Sequence, residues 1–406
     1  MRRIDPALLV VLGGVSAALH VGKLPPALPV LQQALGVSLL QAGFLLSLVQ
    51  LAGMSLGLAV GLAADGLGLK RTMVAGLAIL SAASLLGGWA ADPYSLMLLR
   101  AVEGFGFLLA SMPAPGLIRR LVDPDRMSRT LGLWGAYMPF GTAVALVGGP
   151  PVIAAAGWQA WWWLMAALST ATALWLAAAL PRDVVPFQAA DRQSWRLRLR
   201  LTLSAGGPWL VALAFAVYSA QWLAVIGFLP SMYSQAGLAP ALVGVATGFA
   251  AAVNMVGNIS SGRLLHHGAR PEHLLYAGFA AMAAGGFLAF APVTAALDPV
   301  HAATMRYGAV LLFSSAGGLI PGTLFSLAVR LAPGEGTVST TVGWMQQWSA
   351  AGQLAGPPLV AWVATRAGGW QWSWIVTCGC ALAGLGLAFL LRNVKSMVPP
   401  ERPNPP

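Results

Sequence analysis

The chain has 406 residues, of which 58% are hydrophobic and 9% charged, with a mean hydropathy of +0.74 and a formal net charge of +11. Soluble domains carry about 25% charged residues, so the ordinary globular class is excluded and lipid is the solvent for most of this surface. In hydrocarbon the backbone must satisfy its own hydrogen bonds, which leaves helices or closed barrels. The apolar stretches here do not alternate and run for about twenty residues, the length of a helix crossing a core of roughly 30 Å.

In chain order the apolar spans fall at 7–30, 40–63, 72–91, 94–117, 130–154, 159–180, 207–231, 241–264, 273–293, 304–329, 336–363 and 371–391. The start, Met1-Arg2-Arg3-Ile4-Asp5-Pro6, has no small-residue cleavage site before the first span, which reads as a retained helix and not a signal peptide. Between the sixth and seventh spans lies the longest connection, rich in arginine and containing Pro181 and Pro186, with a short surface helix expected around Trp195. The expected organisation is all-α: twelve transmembrane helices in two pseudo-symmetric six-helix bundles, residues 1–181 and 207–395, a linker at 182–206 and a tail at 396–406.

Charge orients these spans. Nineteen of the twenty-three Lys and Arg residues lie at the termini or in the even-numbered loops, whereas the odd-numbered loops hold only Arg306 and Arg366. The positive-inside rule then predicts cytoplasmic termini and a multi-pass protein of the bacterial inner membrane. The basic residues are dispersed over many short loops, which argues against a nucleic-acid partner.

The two halves echo each other. Gly149-Pro150-Pro151 recurs as Gly356-Pro357-Pro358, Gly157-Trp158-Gln159 as Gly369-Trp370-Gln371, and Pro115-Gly116 as Pro321-Gly322. Gly61-x-x-x-Asp65-Gly66 is echoed by Gly257-x-x-x-Ser261-Gly262. Matches in the same order are the mark of a duplicated bundle, a recurrent plan of secondary transporters with the substrate held between the halves.

On these residues the chain resembles the major facilitator superfamily over essentially its whole length. Gly61-Leu-Ala-Ala-Asp65-Gly66-Leu-Gly68-Leu-Lys70-Arg71 is similar to the signature of the loop between the second and third helices, with Gly66 and Leu69 where the family has arginines. The resemblance implies that Gly61, Asp65, Gly68, Lys70 and Arg71 gate the cytoplasmic side, Asp65 locking against the start of the eleventh helix. Arg100-x-x-Glu103-Gly104-x-Gly106 resembles the fourth-helix signature. The Gly149-Pro150 region resembles the fifth-helix signature of exporters, with Ile153 and Ala154 in place of its trailing glycines. His20-Val-Gly-Lys23-Leu-Pro25-Pro26 and Gly135-Ala-Tyr137-Met-Pro139 are most similar to the bacterial cyanate/nitrate-related branch.

Ionisable residues well inside the spans are few: His20 and Lys23 on the first, Arg100 and Glu103 on the fourth. Each pair is three residues apart and so shares a helix face. At 1.5 Å per residue Lys23 lies roughly 24 Å along its helix, and Arg100 and Glu103 roughly 9–14 Å along theirs from the opposite side. Such residues are costly in a bilayer and mark function. One reading is a cavity with two cations and one anion, selective for a small anion, with Glu103 and His20 taking protons. The other is a structural triad that only joins two helices, and Lys23 snorkelling to the surface is a third.

Gln50, Tyr137, Tyr218, Gln221, Trp222, Asn254 and Gln346 are further candidates for the cavity. Buried amides equally suit hydrogen bonds between helices. Trp158, Trp161, Trp162, Trp163, Trp370, Trp372 and Trp374 read as an interfacial aromatic belt. Gly227 and Pro230 make the seventh span a candidate gate. Cys378 and Cys380 read as packing residues, and no metal or cofactor site is expected. Nucleotide-binding, zinc-protease and serine-hydrolase motifs are absent, so no enzyme is expected. The expected function is a monomeric secondary transporter working by alternating access on a small anion, coupled to protons or an exchanged solute. The alternatives are an exporter of drugs or metabolites and a non-transporting membrane sensor of the same fold.

Overall fold

The computed structural model describes residues 5–123, 126, 130, 133–183, 195–294 and 296–393; the side chains of 61–67, 294 and 335 lie outside that description. Its helices are α1 (Pro6–Gly22), α2 (Leu24–Ala34), α3 (Leu39–Ser47), α4 (Leu51–Leu67), α5 (Leu69–Gly87), α6 (Pro93–Ser111), α7 (Ala114–Leu121) and α8 (Tyr137–Ala179). They continue with α9 (Trp195–Ser204), α10 (Gly206–Gln235), α11 (Pro240–Ala252), α12 (Asn254–His266), α13 (Pro271–Phe290), α14 (Pro299–Gly317), α15 (Leu319–Arg330), α16 (Val338–Ala367) and α17 (Ser373–Arg392). The short helix expected at Trp195 is α9.

Among the described residues, ten helical stretches are long and apolar enough to cross a membrane. One of them, α8, is 43 residues long and turns sharply at Gly157, whose φ of 82° and ψ of 165° are not helical. The echoed Gly369 has φ of 155° and precedes a 3₁₀ turn at Trp370–Trp372 that leads into α17. The repeated Gly-Trp-Gln is therefore a corner between helices in both halves, and a glycine permits the backbone this turn requires. α16 is also long, at 30 residues, but Gln346, Gln347 and Gln353 dilute its apolar character and it is not among the ten.

Several stretches are broken near their middles. α1 and α2 part at Lys23, where Pro25 and Pro26 bring no N–H to the helix ladder. α3 and α4 are joined by a 3₁₀ turn at Leu48–Gln50. α11 and α12 meet at Val253, α14 and α15 at Gly318.

Two apolar cores lie mostly in the first half and one mostly in the second, and each takes side chains from the other half. α1 packs on α8 and α5 on α6 and α8; α13 packs on α14 and α17. The halves meet where α16 runs along α3 and α4, where α10 meets α2, and where α11 meets α8. Missing side chains set these distances. A Cβ on Gly43 would press on the Pro358 backbone, and one on Gly244 on the Leu146 carbonyl and Pro150. The two Gly-Pro-Pro repeats also serve equivalent contacts. Gly149 lies against Pro26 of α2, and Gly356 against the Ala220 backbone of α10, so each half packs its Gly-Pro-Pro helix onto its own first helix.

Candidate functional site

The breaks described above bring the intramembrane charges together. His20, Lys23, Arg100 and Glu103 are at most 1% exposed and form one cluster. Lys23 Nζ pairs with Glu103 Oε1. Arg100 Nη1 pairs with Glu103 Oε2 at 2.5 Å. Lys23 Nζ also donates to Ser84 Oγ at 2.8 Å and sits 4.7 Å from the centre of the Trp162 ring. His20 Nε2 is 2.7 Å from Ser169 Oγ, and its Nδ1 is 3.7 Å from Glu103 Oε1. Ser169 Oγ lies 3.1 Å from Ser16 Oγ.

The helix break supplies acceptors as well. Arg100 Nη1 donates to the His20 carbonyl at 2.7 Å, and Trp161 Nε1 to the Lys23 carbonyl at 2.9 Å. Arg100 Nε donates to the Leu45 carbonyl at 3.2 Å. Among the described residues, His20 Nδ1 and Arg100 Nη2 are buried and have no hydrogen-bond partner. With a neutral imidazole the cluster holds two cations against one carboxylate, a net charge of +1 in a region shielded from solvent. A buried positive field of this kind favours an anion or a proton-exchanging carboxylate.

The aromatic belt reading needs correction. Trp158, Trp161 and Trp162 are buried at 4%, 3% and 0% exposure. The Gly157 turn folds the second arm of α8 back against α1 and α5, which places Trp161 and Trp162 on Lys23. Trp163 and Trp372 are exposed as a belt requires, and Trp370 and Trp374 are half-buried.

In the second half Tyr218, Trp222 and Asn254 form their own network. Asn254 Nδ2 donates to Tyr218 Oη at 3.1 Å and to the Ser314 carbonyl at 2.8 Å, while Trp222 Nε1 donates to Ser314 Oγ at 3.3 Å. These bonds join α10, α12 and α14. Gln221 is fully buried, and neither of its amide atoms has a hydrogen-bond partner among the described residues. Gln50, 3% exposed, donates through Nε2 to Gln353 Oε1 at 3.0 Å. Tyr137 stacks on Trp134 at 4.2 Å between centroids. Gln346 is half-buried on α16. The structure thus gathers the four charges in one place and holds Tyr218, Trp222 and Asn254 in a separate network.

Of the expected gate, Gly61 lies in α4, and the Asp65 side chain lies outside the described residues. Gly68 caps α5 with φ of 92°. Asp183, just before the undescribed linker, accepts from the backbone N–H groups of Lys70 and Arg71, each at 3.0 Å. Lys70 Nζ donates to the carbonyls of Ala177 and Leu180 at 2.8 and 2.6 Å, at the end of α8. At the loops, Asp92 and Asp298 cap α6 and α14, and backbone N–H groups of Ser95 and His301 hold their carboxyls below the usual carboxylate range.

Ser84, Ser169, Trp161 and Trp162 were not legible as site residues. They come from other helices, and nothing in their spacing relates them to Lys23.

A helical membrane fold with repeated corner motifs and a buried ion cluster at a helix break fits the class of multi-pass transporters. The sequence model of the Major Facilitator Superfamily matches residues 10–352, and the chain belongs to that superfamily. It is 38% identical over 125 residues to the puromycin resistance protein pur8 of Streptomyces alboniger. That match covers 30% of this chain and 25% of pur8, so it spans a quarter of the relative. The fold is similar to the crystal structure of a bacterial homolog of the human lysosomal transporter Spinster, in an inward-facing and occupied conformation. The TM-score is 0.76 at 15% identity, over 95% of this chain and 96% of that one.

Proposed function

We propose that this protein is a proton-coupled secondary transporter that moves a small anion across the bacterial inner membrane by alternating access. The observation that carries this reading is the net positive cluster of Lys23, Arg100 and Glu103, sealed from solvent and possessing an unpartnered Arg100 Nη2. Twelve spans follow when the two arms of α8 are counted separately and α16 is included. An even number of spans is what cytoplasmic placement of both termini requires. Glu103, with His20 beside it, is the group suited to exchange a proton, because neutralising it changes the balance of the whole cluster. The similarity of His20-Val-Gly-Lys23 to the cyanate/nitrate-related branch supports the anionic choice. Asp65 and its loop serve as the cytoplasmic gate in this reading.

The test is a thermal-shift screen of purified protein against small carboxylates and inorganic anions, repeated with Lys23→Ala and Arg100→Ala. A stabilising anion whose effect vanishes in both variants is the expected result. An anion bound equally well by both variants overturns the cationic site. A second reading, export of an organic drug or metabolite, is favoured by the similarity to pur8. In that case puromycin, and no small anion, stabilises the protein.

A further inference from the structure

Arg100 does more than neutralise Glu103. Its guanidinium donates to the carbonyl of His20, three residues before the α1–α2 break at Lys23, and to that of Leu45, three residues before the 3₁₀ turn at Leu48–Gln50. One planar fork with several donors therefore grips two broken helices and a carboxylate together. Mid-helix 3₁₀ turns often mark hinges. α6 lies directly on this one, because a Cβ on Gly104 would collide with the Val49 carbonyl.

The same turn reaches the opposite half. Gln50, its last residue, donates to Gln353 Oε1 at 3.0 Å; Gln353 Nε2 donates to Ser349 Oγ at 3.3 Å; and Ser349 lies 2.7 Å from Ser219 Oγ. Gln50 belongs to the first half, while Gln353 and Ser349 are on α16 and Ser219 on α10. Just beyond Gln50, Gly53 faces Ala350 across the seam. A neutral amide pair is a weaker tie than a charged one, which suits a contact made and broken repeatedly.

We propose that Gln50 and Gln353 form a latch between the halves, set by the ion cluster through Arg100 and the 48–50 turn. When Glu103 loses its charge, Arg100 loses its carboxylate partner and relaxes its hold on Leu45. The turn loosens, and Gln50 leaves Gln353. The latch takes its purpose from the transport reading above, but the coupling itself is measurable without any substrate.

The experiment uses full-length protein with Cys378→Ser and Cys380→Ser and one reporter cysteine, Ala350→Cys, whose maleimide labelling rate reads the opening of the seam. Ala381→Cys, in the core of the second half, reads general unfolding. Glu103→Gln and, separately, Arg100→Lys are expected to speed labelling at 350 by about threefold or more beyond any change at 381, which corrects for their loss of overall stability. Gln50→Leu or Gln353→Leu is expected to speed it similarly, and adding Glu103→Gln to either is expected to give no further increase. Unchanged labelling at 350 in both cluster variants overturns the proposal. So do effects that multiply in the combined variants, or equal acceleration at 381. A failed anion screen with this labelling pattern intact would count against the transported solute and not against the latch.

Discussion

At the scale of single residues, the cluster is an unequal ledger. Glu103 is the one anion for two cations, so the three charges are not interchangeable. Glu103→Gln leaves two buried cations without a counterion, and stripping a buried pair of one partner costs about 3–5 kcal/mol. Arg100→Met leaves a balanced Lys23–Glu103 pair but takes donors from the His20 and Leu45 carbonyls. Lys23→Met leaves a balanced Arg100–Glu103 pair and removes, besides the Lys23–Glu103 pairing, the contacts to Ser84 and the Trp162 face. The expected loss of thermal stability therefore runs Glu103→Gln, then Arg100→Met, then Lys23→Met, followed by tryptophan fluorescence on purified protein. A Lys23 variant as unstable as the Glu103 variant would show that the charge balance is not what holds these helices. The pairing of these residues was legible because ionisable side chains are rare in the spans and their spacing puts each pair on one face. Which side chain meets which was not, since the contacts of these four residues reach partners up to 149 positions apart.

At the scale of elements, the loop before α5 shows how a motif can be recognised while its local role stays hidden. Gly68 is the N-cap of α5, and its positive φ disfavours any other residue. Asp183 serves that helix end through two backbone N–H groups, a favourable place for a carboxylate. Lys70 returns the service at the carbonyl end of α8. The two helices are thus tied to each other by reciprocal caps. Gly68→Ala is expected to cost about 1–2 kcal/mol from the left-handed backbone, and Asp183→Ala about 0.5–2 kcal/mol from the lost cap. A Cβ at residue 68 would also strike the Asp183 carboxylate. The double variant should therefore lose less stability than the two single losses together, as measured by thermal unfolding. Full additivity would show that the cap and the glycine act independently.

At the scale of the whole molecule, orientation is the property that binds the rest. With cytoplasmic termini, Tyr94 and Val300 face the outside, and Arg119 and Arg270 the inside. Cysteines placed at these exposed positions on a background lacking Cys378 and Cys380 test this. An impermeant maleimide should label Tyr94→Cys and Val300→Cys in intact cells, and Arg119→Cys and Arg270→Cys only after permeabilisation. Labelling of positions 94 and 119 from the same side would remove the fourth span and, with it, the even count.

The linear chain alone carries the membrane class, the helical class, the repeated motifs and the short roll of intramembrane charges. Each of these follows from composition or periodicity, which survive without knowledge of packing. Tertiary structure decides the rest. It turns Trp161 and Trp162 inward onto Lys23, gives Arg100 two broken helices to hold, and brings Gln50 to Gln353 across the seam. Those outcomes depend on where helices break and how closely glycines let them approach. Both are set by neighbours hundreds of residues away as much as by the local run of amino acids.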